Sequence, residues 1–129
     1  MKLNTLSAIK IATATLGAAA LMLGLSSCSS AGQEPVQLSE DAIVLDVRTP
    51  EEFAGGHLEG AQLLDFNSGE FAAALPSLDP EAEYVIYCRS GNRAGQAMAL
   101  MQRDGIENVT NLGSLEQAAQ ATGIAVVVE

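Results

Sequence analysis

One cysteine in this sequence stands in a setting suited to chemistry: Cys88-Arg89-Ser90-Gly91-Asn92-Arg93. A thiol attacks as its thiolate, and its pKa falls beside arginine or at a helix N-terminus. Both conditions are available here. Two of the four arginines flank the segment, and Ala94, Ala97, Met98 and Met101 follow at helical spacing over Arg93 to Arg103. Gly91 permits a sharp turn, after which successive backbone amides can converge as an anion-binding nest. Such a loop would make Cys88 a nucleophile toward an anionic reagent. The plainer reading is a strand-to-helix turn whose arginines are solvated and whose cysteine fills space.

The elements that must position this loop alternate along the chain. Tyr84-Val85-Ile86-Tyr87 is β-branched and aromatic and reads as the strand that delivers Cys88. Ala42-Ile43-Val44-Leu45 is a second short apolar run, suited to a strand buried on both faces. Thr49-Pro50-Glu51-Glu52 reads as a helix start with a capping box, and Gly55-Gly56 as its stop. A strand is expected at Gln62 to Asp65, then a helix through Phe71 to Leu75 capped by Asn67 or Ser68, before Pro76 and Pro80 break the chain. After Gly105, Val109 lies on a short strand, Ser114 and Gln117 form another capping box, and Gly123 closes a helix before Ile124 to Val128. Strands alternating with helices define an α/β sandwich with a mainly parallel sheet and helices on its faces. In such sheets, sites form outside the carboxyl ends of the strands, where Cys88 falls.

Composition narrows the partners. The 129 residues suffice for one domain, and 6 basic against 16 acidic side chains exclude the basic face of a nucleic-acid binder. Both lysines, Lys2 and Lys10, precede the uncharged run Ile11 to Leu25, which has the length of an export signal rather than of a membrane span. The run ends Leu25-Ser26-Ser27-Cys28, which resembles the lipobox of bacterial lipoproteins. That resemblance implies a signal peptide over residues 1–27, a lipid on Cys28 and a tether over residues 28–37. The expected location is the extracytoplasmic face of a bacterial membrane, with Ser29 favouring the outer one. The chain from Cys28 onward carries four arginines against 16 acids, a net charge of −12. With Cys28 lipidated, Cys88 has no disulfide partner in the chain, and a lone thiol in an oxidising compartment invites a reason. One histidine and one thiol provide no familiar metal-ligand set, and no cofactor is expected.

The loop Tyr87 to Ala94 resembles the active-site loop of rhodanese-type sulfurtransferases. Leu45-Asp46-Val47-Arg48-Thr49-Pro50-Glu51-Glu52-Phe53, with Gly56-His57-Leu58-Glu59-Gly60-Ala61, is similar to that family's N-terminal signature. With Asn108-Val109 and Leu112-Gly113, the likeness covers residues 38–129. It implies a small three-layer rhodanese-like sandwich in which Cys88 takes a sulfane sulfur from a donor such as thiosulfate. A thiol or cyanide-like acceptor then removes it. It also implies that the amides of Arg89, Ser90, Gly91, Asn92 and Arg93 cradle the persulfide, and that the Arg89 and Arg93 side chains attract the anionic donor.

Related phosphatases place five residues between Cys and Arg, whereas four separate Cys88 from Arg93, and the tighter ring favours sulfur chemistry. The alternatives are a non-catalytic binding or sulfur-carrier module, and thiol redox chemistry with an external resolving thiol. Asp46, Arg48 and His57 read as structural, since a thiolate lowered by amides and arginines needs no base. The segment before Asp41 is short, so the strand and helix that often open the family are expected to be reduced. Glu59, Ser114 and Ala125 depart from the usual pattern, and the common tryptophan is missing.

Overall fold

Alternation within two short apolar strands organises the whole domain. The computed structural model describes residues 34–129; the signal segment, Cys28 and most of the tether lie outside the described residues. In chain order, the first elements are β1 (Ile43–Asp46), α1 (Pro50–Ala54), β2 (His57–Leu58), β3 (Gln62–Leu63) and α2 (Glu70–Ala74). A 3-10 turn (Leu75–Ser77) leads to β4 (Tyr84–Cys88), α3 (Asn92–Arg103), β5 (Val109–Ser114), α4 (Leu115–Thr122) and β6 (Val126–Val127).

The main sheet has the order β3-β1-β4-β5 and every pairing in it is parallel. Leu45, Ile86 and Cys88 face one side, packed with Phe71 of α2 and Ala94, Ala97 and Met101 of α3. Val44, Val85 and Tyr87 face the other, against Leu58, Leu112 and Ala118 of α4. Because strand side chains alternate, one apolar run supplies both cores. The result is the expected three-layer α/β sandwich, and each large side chain buried this way stabilises it by roughly 1.5–3 kcal/mol.

Both capping boxes form, Thr49 with Glu52 and Ser114 with Gln117. The start of α2 differs from expectation. Asp65 draws the amides of Asn67 and Ser68 onto its carboxylate, at 2.8 and 3.3 Å, and of the two expected caps it is Ser68 whose Oγ accepts from the Glu70 amide, at 3.3 Å. The N-cap position itself falls one residue later, on Gly69, which has no side chain to cap with. This is the usual competition of a short acidic side chain with helical bonding.

β5 runs longer than expected, to Ser114, and shifts register between Ile86 and Cys88 of β4. The C-terminal strand pairs antiparallel with β2 in a separate two-stranded ribbon, His57 opposite Val127. The chain also joins the domain before Leu38. The Val36 amide donates to the Ala121 carbonyl at 2.8 Å, so this residue, placed in the tether by composition, already packs on α4. Between residues 34 and 42 there is no regular element, in keeping with the short opening segment.

Candidate active site

Strand β4 ends at Cys88, which carries no exposed surface. Gly91 then turns the chain with φ +89 and serves as the N-cap of α3 without a side-chain cap, so the first-turn amides remain available. The Gly91 amide donates to Cys88 Sγ at 3.0 Å. Burial works against ionising the thiol, but the amides of Ala94, Ser90, Gly91 and Arg93 outweigh it and hold its pKa below the ordinary cysteine value. Among the described residues Cys88 is the free cysteine.

The loop is held from β5. Asn111 Nδ2 donates to the Gly91 carbonyl at 3.0 Å, and Asn111 Oδ1 accepts from the Gly113 amide at 2.9 Å. A Cβ on Gly91 would lie 3.1 Å from the Gly113 Cα, so a hydrogen is what allows the two backbones to approach. An open cleft of about 580 Å³ adjoins Ser90 and Gly91, with Val36, Leu112 and Gln117 among its walls.

The loop arginines divide. Arg89 is exposed, whereas Arg93 is partly buried and its guanidinium makes a two-pronged contact with Glu52, at 2.8 and 2.9 Å. That contact, against some opposing burial, pulls the Glu52 carboxyl down to about 2. Arg93 therefore serves the sulfur in two ways: its amide helps to lower the thiol pKa, and its guanidinium, held by Glu52, still feels the Cys88 charge. Ser90 is exposed, and Asn92 points outward, its Oδ1 accepting from Gln96 at 2.7 Å.

Asp46, Arg48 and His57 form a separate buried framework. Arg48 Nη2 meets Asp46 Oδ2 and the Gly56 carbonyl, each at 2.6 Å, and the guanidinium lies 5.4 Å from the Tyr87 ring centre. The Tyr87 hydroxyl accepts from the Leu58 amide at 3.0 Å. His57 stacks on Phe53 at 3.6 Å, and its Nδ1 is 3.0 Å from the Phe53 carbonyl, an acceptor, so that nitrogen carries the proton. These bonds fix the turn around Gly56; none goes to Cys88.

Sequence reasoning missed Asn111 and the reach of Glu52 to the loop. The scarcity of basic residues was a usable signal for Glu52, since a half-buried arginine calls for an acid. Nothing local distinguishes Asn111.

A parallel α/β sheet that delivers a cysteine into a ring of helix-start amides defines a thiolate-loop domain. The family model for the rhodanese-like domain matches residues 33–121, and the chain belongs to that family. A sulfurtransferase of Allochromatium vinosum is 35% identical over 74 residues, 57% of this chain and 67% of that protein. A thiosulfate sulfurtransferase of Pseudomonas entomophila is 34% identical over 74 residues, 57% of this chain and 66% of that one. The chain thus spans about two thirds of those relatives, and only 40% of a 38%-identical Synechocystis protein of uncharacterised role. Among solved structures, an E. coli rhodanese with anions superposes with a TM-score of 0.55 at 27% identity. It covers 68% of this chain and 99% of that one.

Proposed function

We propose that the domain transfers sulfane sulfur through a persulfide on Cys88, with thiosulfate as a competent donor. The Cys88 thiolate attacks the outer sulfur of thiosulfate. The S–S bond of the donor breaks, its electron pair leaves with sulfite, and Cys88 retains a terminal persulfide sulfur. Cyanide or an acceptor thiolate then attacks that sulfur. The Cys88 sulfur departs with the bonding pair, regenerating the thiolate and releasing thiocyanate or an acceptor persulfide.

The observation that carries this reading is the buried Cys88 thiol at the start of α3, where the Gly91 amide donates to Sγ at 3.0 Å and the loop amides hold the thiol pKa down. Fixed amides stabilise negative charge on the terminal sulfur without reorganisation. Arg89, exposed and next to Cys88 in the chain, can attract the donor and the sulfite leaving group in an otherwise acidic chain. The test is thiosulfate:cyanide turnover together with mass spectrometry. Gain of one sulfur on Cys88, reversed by cyanide and abolished in Cys88→Ser, is the expected result. Equal turnover by wild type and Cys88→Ser would end the proposal, and lack of the adduct would favour a non-catalytic module.

We also propose that the protein is exported and lipid-anchored through Cys28 at a bacterial membrane, the outer one where there are two. The support is the apolar run, the small residues and the cysteine at its end. More than one acyl chain would make the attachment stable. Labelled fatty acid should enter the wild type and be absent from Cys28→Ala; equal labelling would overturn the anchor.

A further inference from the structure

Glu52 touches the sulfur loop from a distant part of the chain. Its Oε2 accepts from the Thr49 amide at 3.0 Å, closing the capping box of α1, and also from Arg93 Nη1 at 2.8 Å. Its Oε1 accepts from Arg93 Nη2 at 2.9 Å. A bidentate carboxylate–guanidinium pair fixes direction as well as distance. The far end of this strut is the second residue of α3, two positions after the Gly91 amide that donates to Cys88 Sγ at 3.0 Å. One residue thus couples two structures: the guanidinium of Arg93 grips α1, and its amide serves the thiolate.

The strut also settles charge. A lone carboxylate near an anionic sulfur would oppose ionisation, and a lone guanidinium would compete with the loop for the donor. Paired, the two are close to neutral. Among the described residues the ion pairs are Arg48–Asp46 and Arg93–Glu52, so the loop arginine outside any ion pair is the exposed Arg89.

We propose that Glu52 is a positioning residue for Cys88: through Arg93 it holds the first-turn amides of α3 on the sulfur anion and leaves Arg89 to meet the donor. The consequence for sulfur transfer rests on the persulfide reading above; the consequence for the thiolate does not.

The test is Glu52→Gln, whose amide has a single acceptor oxygen for the Thr49 amide and the Arg93 fork. The first readout is the pH dependence of Cys88 alkylation by iodoacetamide, which needs no donor and no turnover. Its midpoint should rise by about half a unit or more, the loss from loosened amides exceeding the opposite pull of an Arg93 guanidinium freed from its carboxylate. The second readout is kinetics with thiosulfate. Here kcat should fall roughly three- to ten-fold while KM stays within about two-fold, the pattern of an interaction realised in the reaction rather than in binding. Thr49→Ala weakens the cap of α1 without removing the Arg93 fork and should leave the alkylation midpoint in place. Arg93→Lys, which keeps the charge but loses the fork, should move the midpoint upward as Glu52→Gln does; it decides the question if Glu52→Gln does not fold. A midpoint matching wild type in Arg93→Lys, where the charge pair is conserved and only the fork is lost, overturns the proposal. So does a fall in KM with kcat retained, which would mean that Glu52 merely withholds Arg93 from the donor. A shifted midpoint in a protein without turnover would count against sulfur transfer while upholding the positioning of the thiolate.

Discussion

Asn111 and Gly91, twenty residues apart, are joined by a 3.0 Å hydrogen bond from the Asn111 side-chain amide to the carbonyl at the N-cap of α3. The same side chain accepts from the Gly113 amide, so one asparagine staples the sulfur loop to the neighbouring strand. Replacing it with alanine removes both bonds and takes that partner from the Gly113 amide, while the Gly91 carbonyl keeps the Gly95 amide at 2.9 Å. Asn111→Ala should lose about 1–3 kcal/mol in urea denaturation and load sulfur more slowly, as read by the rate of appearance of the adduct on Cys88.

Gly91 tolerates no side chain. At φ +89 an L residue is strained, and a Cβ there would press on the Gly113 backbone at 3.1 Å, where no flexible atom can yield. Gly91→Ala should cost roughly 1–3 kcal/mol and, by displacing the amide that donates to Cys88 Sγ, raise the pH at which the thiol reacts. Thermal unfolding and the alkylation profile check the two effects separately.

The Cys88 thiol ionises more easily folded than unfolded, because amides outweigh burial. Its alkylation midpoint in the native protein should therefore lie below that of the urea-unfolded chain. The folded pKa is the lower one, so Cys88 adds stability that is fully present above the unfolded pKa and is lost as pH falls through the folded value. Stability of wild type relative to Cys88→Ser should rise with pH over that interval.

Glu52 gives a second pH signature in the acid range. Its carboxyl falls from the ordinary 4.5 to about 2 through Arg93, so its contribution is present above about 4.5 and disappears as pH drops toward 2. Urea midpoints of wild type and Glu52→Gln should differ near neutrality and converge in acid. A gap that stays constant down to the lowest pH would show that the carboxylate charge is not what stabilises.

The cap of α1 is the most local of these devices. Thr49 Oγ accepts from the Glu52 amide at 3.3 Å, and Thr49→Ala should destabilise by about 1 kcal/mol with little change in the reactivity of Cys88. Denaturant midpoints alongside alkylation rates measure both.

What could be read along the chain was what depends on neighbours. Both capping boxes, the helix stop at Gly123 and the strand that delivers Cys88 formed as expected, since each rests on residues within four or five positions of one another. The start of α2 was only partly legible even at short range: Ser68 does accept from the Glu70 amide, but Asp65 turns the chain through the amides of Asn67 and Ser68 and moves the N-cap to Gly69. The pairing of β6 with β2 was out of reach for another reason: two-residue strands carry almost no periodicity, and their register depends on packing over α4.

By itself, the sequence determined the chemistry on offer at Cys88: a thiol, a glycine turn and a helix start, with two scarce arginines beside them. It could not say how those arginines divide. Glu52 lies 41 residues from Arg93, and only the folding of β1 beside β4 brings the starts of α1 and α3 together at the same end of the sheet. That contact pairs one arginine with the scaffold and leaves the other exposed, outside the ion pairs of the described residues. The physical reason is range: capping and periodicity act over one or two helical turns, whereas an ion pair between helices exists only where packing sets both side chains within reach.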